Sequence, residues 1–485
     1  MQIVSCPSCG AQVQFRSHAS VVAVCEFCRA TVMKDADSVK DLGKMSSALE
    51  DYTRIQIGTA GVVGGRNFSV VGRIQLRYSA GMWNEWFLLF DDTGTGWLGD
   101  SSGLYTVTSE ATASGPLPDF ASIAPGQLYT IAGQRYTASE KRSAECIGGQ
   151  GELPFQVGEG WQARVADFRA GASFVTLDYS DSETPTLYNG VAVPLEEMKC
   201  QLLRDDEQIK ESAGKYRGKL DALECPSCGT AIKYLPGVTT SLVCPSCQAQ
   251  LDAAGPQAQI LAQGEKVERV RTTIPLGAEA KINGVDYQVI GAMVRADQEQ
   301  TEWTEYLLYN TRASFFWLVE TDEGWSRANV MSNWPAWTSL DADHADLDKI
   351  SYNKLYDYPA TVKFAAGAFN WRVAAGDVVQ VFEFENGQTR LAAELTGEEL
   401  TWSRSMPVAF DQVRAWFGTA LRADAQRQPA SQALPSTSTA TKFLWWILGL
   451  NAIPLLFNFS GTFFYVVLAL LAIYLPAKLF DKAKP

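Results

Sequence analysis

Histidine is nearly missing from this chain, which has 2 copies in 485 residues. His18 and His344 have no cysteine or serine pattern near them that suggests a catalytic triad. Aspartate and glutamate are plentiful, but they fall into no specific acid–base motif. These absences favour a protein that is not an enzyme.

Positive charge is also scarce. The chain has 41 Lys and Arg against 54 Asp and Glu, which gives a net charge of −13. No basic face emerges in the cysteine-rich segments, and binding to a phosphate backbone needs such a face. The composition therefore disfavours nucleic acid as a partner.

Cysteine is sparse outside two groups that share one spacing. Both groups read C-x2-C-x15-C-x2-C, and 219 positions separate them. The first group is Cys6, Cys9, Cys25 and Cys28, and the second is Cys225, Cys228, Cys244 and Cys247. The remaining Cys146 and Cys200 have no partner pattern and are interpreted as buried, inert thiols.

The repeated cysteine spacing predicts two zinc ribbons. Two residues between cysteines let a tight turn aim both sulfurs at one ion, and two such turns give four thiolates at tetrahedral corners. Pro7 with Gly10, and Pro226 with Gly229, suit such turns. A disulfide or a redox C-x-x-C would not need a second pair at a fixed distance. Because four cysteines leave no open position, we expect two structural Zn²⁺ ions, and thiolate ligands fit a reducing compartment.

The segments after each cysteine group are also repeated. The pattern [FY]-x-V-[VI]-G stands at 68–72 and 287–291, and W-x-E-[WY] stands at 83–86 and 303–306. Alternating apolar residues separated by turn residues predict antiparallel strands. The predicted fold is mainly β with short helices, in two tandem units. Each unit has a zinc ribbon, an antiparallel barrel- or sandwich-like β-domain and a helix.

The end of the chain is apolar. Residues 443–480 carry almost no charge, which is too long a stretch for one ordinary membrane span and suits two short ones. Cations lie beyond both ends, and a hairpin would place them on one side of a membrane. The sequence therefore predicts a C-terminal transmembrane helical hairpin. One long tilted span and a membrane-surface helix are the alternatives.

These patterns divide the chain into nine predicted segments. They are zinc ribbons at 1–34 and 223–254, β-domains at 54–193 and 270–406, helices at 35–53, 194–222 and 407–422, a flexible linker at 423–441 and the hairpin at 442–480.

One glycine-rich stretch, Gly61-Val-Val-Gly64-Gly65-Arg66, could be interpreted as a phosphate-binding loop. The repeat places Asn283-Gly284 opposite Gly64-Gly65, and both dipeptides are typical of two-residue hairpin turns. No P-loop lysine or helix start follows. We therefore predict a hairpin.

The W-x-E-[WY] pattern leaves two interpretations open. Trp83 with Glu85, and Trp303 with Glu305, could form an aromatic and acidic pocket for a cationic ligand. Strand tryptophans are more often core residues, and a strand glutamate often pairs across strands. The sequence favours the second interpretation.

The doubled ribbon, together with the patterns at 68–72 and 83–86, resembles a bacterial domain family of unknown function. The resemblance covers most of residues 1–420. Such proteins look like partners of small membrane proteins and of polyamine-synthase-like or membrane-stress genes. The resemblance implies an accessory role and no catalytic residue.

Together these observations predict a membrane-anchored zinc-ribbon protein that binds or scaffolds a partner in a membrane-associated system. The alternative hypothesis is an enzyme or a small-cation sensor with a pocket around Glu85 or Glu305. Because no signal peptide is found, the expected location is the inner (cytoplasmic) membrane, multi-pass, with the N-terminal domains and the C-terminus in the cytoplasm. The expected partners are membrane lipid, contacted through the hairpin, and other membrane or membrane-associated proteins.

Overall fold

The structure is a computed structural model of the 485-residue chain. It describes residues 2–16, 20, 22–28, 30–34, 39–44, 53–79, 81–101, 103–155, 161–205, 223–232, 241–252, 259–262, 272–310, 313–422, 451 and 462–470. The chain divides into two compact units, Met1–Ala423 and Asp424–Pro485.

Within the first unit, the first half is almost entirely β. Its strands are β1 (Gln2–Ser5), β2 (Gln12–Phe15), β3 (Val22–Val24), β4 (Ala30–Lys34), β5 (Val39–Lys44), β6 (Ala60–Val63), β7 (Arg66–Arg77), β8 (Met82–Phe90), β9 (Thr95–Ser101), β10 (Leu104–Ala111), β11 (Leu128–Ile131), β12 (Gln134–Leu153), β13 (Gln162–Ala170), β14 (Ser173–Asp178) and β15 (Thr186–Ala192). One 3₁₀ turn covers Phe120–Ser122.

Eight of these strands close into a ring. Neighbours hydrogen-bond in the order β7-β8-β9-β10-β15-β14-β13-β12, and β12 pairs with β7 to close it. Every pairing in this ring is antiparallel. Closure removes exposed strand edges and separates an interior face from an exterior face. We call this ring barrel 1.

The second half repeats the arrangement. Its strands are β16 (Leu223–Glu224), β17 (Ala231–Ile232), β18 (Ser241–Val243), β19 (Gln250–Asp252), β20 (Gln259–Ala262), β21 (Glu279–Ile282), β22 (Val285–Ala296), β23 (Glu302–Asn310), β24 (Ser314–Thr321), β25 (Gly324–Val330), β26 (His344–Leu347), β27 (Ile350–Phe369), β28 (Val378–Asn386), β29 (Thr389–Leu395) and β30 (Leu400–Val408).

Barrel 2 is the ring β22-β23-β24-β25-β30-β29-β28-β27, closed by the pairing of β27 with β22. Both barrels carry the same irregularity, since the register shifts between Val70 and Gly72 and again between Val289 and Gly291. The repeated pattern [FY]-x-V-[VI]-G thus marks a repeated β-bulge.

Each ribbon is joined to its barrel through the sheet. β3 pairs with the end of β12, and β18 pairs with the end of β27. Val22 of the first ribbon packs in one apolar cluster with Leu76, Trp83 and Ala163 of barrel 1. In barrel 2, Leu242 of the second ribbon packs in a comparable cluster. Each ribbon is therefore packed against the end of its barrel, while the cysteine loops of the first ribbon keep an apolar cluster of their own.

The helix predicted over 35–53 is wrong where the structure describes it. Val39–Lys44 forms β5, which pairs with β4. Pairing with the edge of β4 supplies backbone hydrogen bonds to this segment. A short isolated helix would leave the N–H groups of its first turn and the carbonyl groups of its last turn unpaired. Gly43, which disfavours helix interiors, lies within the segment.

The helix predicted over 194–222 is absent from 194–205, which forms turns, and 206–222 lies outside the described residues. Lys199 and Leu202 have positive φ values of 47° and 56°, which no α-helix accommodates. The segment instead covers the edge of β6, because Val62 N–H donates to the Met198 carbonyl at 2.8 Å.

The helix predicted over 407–422 forms as α1, Phe410–Phe417, which buries Val413 and Phe417. It begins later than predicted because β30 continues through Val408 and pairs with β25. The apolar face of α1 covers the exterior cluster of barrel 2 that contains Tyr306, Phe316 and Trp325.

The predicted transmembrane hairpin is corrected. No helix among the described residues is long and apolar enough to cross a membrane. The expected multi-pass inner-membrane location therefore has no support. The linker 423–441 and the remaining residues of 442–480 lie outside the described part, apart from residue 451.

Candidate functional site

The first cysteine group forms a compact cluster of sulfur atoms. Cys6 and Cys9 lie on the loop between β1 and β2, and Cys25 and Cys28 lie on the loop between β3 and β4. The Sγ atoms of Cys6 and Cys28 are 3.6 Å apart, and those of Cys9 and Cys25 are 3.7 Å apart. All four sulfurs lie within 4.8 Å of one another.

The second group repeats this geometry. The Sγ atoms of Cys225 and Cys247 are 3.7 Å apart, as are those of Cys228 and Cys244. In each group the first and third cysteines are buried and the second is exposed. The eight cysteines thus form two clusters of four, as their spacing in the sequence predicted.

Both clusters fit a tetrahedral zinc ion. Sulfurs at about 2.3 Å from such an ion lie about 3.8 Å from one another, which is close to the observed separations. Gly10 and Gly229 adopt φ values of +78° and +74°, and their N–H groups donate to the carbonyls of Cys6 and Cys225 at 2.8 and 2.7 Å. These turns aim the cysteines inward, so each group could hold one metal ion.

The glycine-rich stretch after β6 is a hairpin turn, as the repeat predicts. Gly64 and Gly65 have φ values of 55° and 79°, and Asn283 and Gly284 have 51° and 81°. Paired positive φ values are those of a type I′ turn. No phosphate-binding loop is built here.

The W-x-E-[WY] strands place tryptophan and glutamate side by side. Trp83 Nε1 donates to Glu85 Oε1 at 2.8 Å on β8, and Trp303 Nε1 donates to Glu305 Oε1 at 2.7 Å on β23. Residues two apart in a strand share a face. The tryptophan and glutamate of each motif therefore share one face, and an indole–carboxylate hydrogen bond joins them.

That face lines the interior of the barrel. In barrel 2, Arg295 Nη1 on β22 lies 3.0 Å from Glu394 Oε2 on β29. Two strands, β27 and β28, separate these residues in the ring, so the contact crosses the interior. The same guanidinium nitrogen lies 3.4 Å from Glu305 Oε1. Glu305 therefore points inward.

In barrel 2 the inward glutamate is matched by a cation. Burial raises the pKa of Glu305, and the Arg295 guanidinium opposes that shift. Arg295 is brought there by register, because it pairs directly with Trp303. Glu305 itself is only 8% exposed. The pair closes this part of the interior.

In barrel 1 the corresponding place is apolar, because Leu76 pairs directly with Trp83. Burial raises the pKa of Glu85 to about 7, the Trp83 N–H opposes the shift, and the carboxylates of Glu140 and Asp178 raise it further. Asp178 lies on β14, opposite β8 in the ring, so its influence also acts through the interior.

Two further acidic residues of barrel 1 were not singled out from the sequence. Glu140 on β12 and Asp167 on β13 are direct partners, and Thr176 Oγ1 donates to Asp167 Oδ1 at 2.6 Å. Burial raises the pKa of Glu140 to about 7 and that of Asp167 to about 6. Carboxylates are too common in this sequence to mark these two, and only ring closure brings them near Glu85.

Arg142 was also missed. Its Nη2 lies 2.6 Å from Glu140 Oε2 and 2.8 Å from Glu399 Oε2, which belongs to the turn between β29 and β30. Its guanidinium also lies 4.1 Å from the centre of the Tyr78 ring. Arg142 thus links the acidic interior of barrel 1 to barrel 2.

Comparison with known proteins gives a family. A search of curated proteins found no match for this chain. The model of a domain of unknown function, DUF4178, matches residues 56–195 and again residues 275–410. The two matches coincide with the two barrels and leave both ribbons outside. Because they cover more than half of the sequence, the chain belongs to the DUF4178 family, of which it contains two tandem domains.

Proposed function

We propose that this chain is a binding protein that holds a partner protein, and that its two metal ions are structural zinc. Four thiolates complete the tetrahedral set of a zinc ion and leave no position for water or substrate. β3 pairs with β12, and β18 pairs with β27, so each ribbon is hydrogen-bonded to the end of a barrel. Each ion fixes a ribbon against the end of a barrel.

The observation that carries this proposal is an exposed aromatic side chain on the first ribbon. Phe27 is 80% exposed and lies between Cys25 and Cys28, on the turn that faces the metal. Metal coordination makes such a turn rigid, and rigid exposed aromatics are typical anchors of protein interfaces. The second ribbon has Ser246 at the corresponding place. The first ribbon is therefore the proposed contact surface.

The test exchanges one residue for its counterpart. Phe27→Ser copies the second ribbon, so the turn should keep its shape and its metal. We expect a protein that co-purifies with the wild-type chain to be lost from Phe27→Ser, while the zinc content stays at one ion for each of the two cysteine groups. Ile350→Ser, at another exposed apolar side chain, is the control and should retain the partner. An unchanged set of co-purifying proteins in Phe27→Ser would contradict the proposal.

A second candidate function is the binding of a small cation inside barrel 1. What favours it is the difference between the two glutamates. Glu305 is buried against Arg295, whereas Glu85 is partly exposed and, among the residues that the structure describes, forms no ion pair. Desolvation nevertheless raises the pKa of Glu85, so holding its carboxylate charged without a matched cation is costly, and a cationic ligand would lower that cost.

A further inference from the structure

The two barrels of this chain can be compared residue by residue, because their strands pair in the same register. In barrel 2 the Arg295 guanidinium lies 3.4 Å from Glu305, the glutamate of the motif, and donates to Glu394 at 3.0 Å. The chain itself thus shows which chemical group lies beside this glutamate. A planar guanidinium can donate to a carboxylate and lie against an aromatic ring at the same time.

Barrel 1 has smaller side chains at two positions where barrel 2 has larger ones. Leu76 takes the place of Arg295, and both pair directly with the tryptophan of the motif. Gly99 takes the place of Val319, since each pairs directly with the glutamate. A Cβ atom on Gly99 would lie 2.6 Å from Thr106 Oγ1 and 3.6 Å from both carboxylate oxygens of Glu85. Two side chains are therefore shortened beside this one carboxylate.

Arg142 does not replace Arg295 in barrel 1. Its place in the register is that of Tyr358, because Arg142 pairs with Val165 and Tyr358 pairs with Val381. Both side chains contact the tryptophan of the motif from β12 or β27. The Arg142 guanidinium is held instead by Glu140 and Glu399, at 2.6 and 2.8 Å.

A metal ion is a poor candidate for this place. Among the described residues, the groups whose ligand atoms gather closely enough to hold a metal are the two cysteine sets. The carboxylates of barrel 1 face one interior but do not converge on one point. Such an arrangement suits a wider, delocalised cation.

We propose that the interior of barrel 1 binds a guanidinium group of a small ligand at Trp83 and Glu85, in the position that Arg295 occupies in barrel 2. The ligand donates hydrogen bonds to the Glu85 carboxylate and lies beside Leu76 and Gly99, where barrel 2 has the larger Arg295 and Val319. This proposal rests on the second candidate function and names its ligand chemistry. It is independent of the partner surface at Phe27.

The experiment uses the full chain and methylguanidinium as the probe, with methylurea as a neutral molecule of the same shape. Isothermal titration calorimetry at constant ionic strength should show saturable binding of methylguanidinium and none of methylurea. Glu85→Gln keeps the size of the side chain and removes its charge, so we expect affinity to fall about tenfold or more. Glu305→Gln is the matched control in barrel 2 and should leave binding unchanged.

A second variant separates loss of the site from loss of the fold. Leu76→Arg supplies barrel 1 with the guanidinium that barrel 2 already has, so it should abolish methylguanidinium binding while the protein remains folded by circular dichroism. Binding that survives in Glu85→Gln or in a folded Leu76→Arg protein would overturn the proposal, as would equal binding of methylurea or no binding at all. Loss of affinity in Glu305→Gln but not in Glu85→Gln would overturn the assignment to barrel 1. Ammonium ions are a second cationic probe. If the chain binds neither methylguanidinium nor ammonium ions, the second candidate function is also wrong. If it binds ammonium ions but not methylguanidinium, only the proposed ligand class is wrong.

Discussion

At the scale of single residues, Glu85 and Glu305 show how one motif acquires two environments. Both accept a hydrogen bond from the tryptophan two residues earlier. Among the described residues, only Glu305 also forms an ion pair with a guanidinium. The difference arises from one position on the neighbouring strand, which is Leu76 in one barrel and Arg295 in the other.

The raised pKa of Glu85 predicts a pH-dependent effect on stability. A carboxyl whose pKa rises from 4.5 to about 7 on folding binds more protons in the folded state, so its contribution to stability falls as pH rises through this window. Glu85→Gln resembles the protonated form. We expect it to increase the free energy of unfolding at about pH 8 and to have little effect at about pH 5, as measured by urea denaturation.

Glu305→Gln provides the contrast in that experiment. It leaves the Arg295 guanidinium with one carboxylate partner fewer, so it should destabilise the protein at about pH 8. If Glu85→Gln were instead as destabilising as Glu305→Gln at this pH, Glu85 would have to be matched by a cation in barrel 1.

The glycine of the β-bulge, Gly72 in barrel 1 and Gly291 in barrel 2, allows a steric prediction. A Cβ atom there would lie 1.7 Å from the Glu152 carbonyl oxygen, whereas one on Gly291 would lie 2.7 Å from the Ala368 carbonyl oxygen. We expect Gly72→Ala to lower the free energy of unfolding by about 3 kcal/mol or more, because β12 would have to move. Gly291→Ala is the matched variant and should cost less in the same denaturant titration. Equal effects would mean that the two bulges tolerate the extra atom equally.

At the scale of elements, the spacing of apolar residues predicted many of the strands, but it did not predict which segments pair with one another. The alternating stretches around the two W-x-E-[WY] patterns are strands, and the residues after Pro407 include a helix. Residues 39–44 and 194–205 also have apolar residues at helical spacing, yet they lie along strand edges. The unpaired edge of a neighbouring strand supplies more backbone hydrogen bonds than a short helix can form. The local sequence does not show that such an edge lies nearby.

The pairing of β3 with β12 predicts a local consequence of losing the first metal ion. Cys9→Ser removes one ligand, so the first ribbon should lose its zinc and its grip on the end of β12. Hydrogen exchange at Gly151–Leu153 should then accelerate, while the corresponding end of β27, residues 367–369, remains protected by the second ribbon. Unchanged exchange at Gly151–Leu153 in zinc-depleted Cys9→Ser protein would show that the ribbon does not hold β12.

At the scale of the whole first unit, the two barrels contact each other through polar groups. Arg142 reaches Glu399, Lys141 N–H donates to the Glu398 carbonyl at 3.0 Å, and Arg169 Nη1 donates to the Ser332 carbonyl at 3.1 Å. The barrels of the repeat are therefore not interchangeable. Each uses a different surface to contact its counterpart.

A double-mutant cycle tests the link between the barrels. Glu399 is about one-third exposed, so Glu399→Gln should cost only about 1 kcal/mol. Arg142→Met should cost more, because it leaves the more deeply buried Glu140 without its cation. The two effects should be non-additive in urea unfolding. Strict additivity would indicate that the contact between Arg142 and Glu399 contributes no coupling.

The sequence by itself determined the two cysteine groups, their turn glycines, the tandem repeat and the hairpin at Gly64-Gly65. These features depend on covalent spacing and local backbone conformation, which neighbours in the chain fix. Only the tertiary structure decided that the strands close into rings, that Glu85 and Glu305 face the interiors, and that Leu76 or Arg295 lies beside them. Those outcomes depend on register between strands far apart in the chain, where a shift of one residue exchanges the interior and exterior faces.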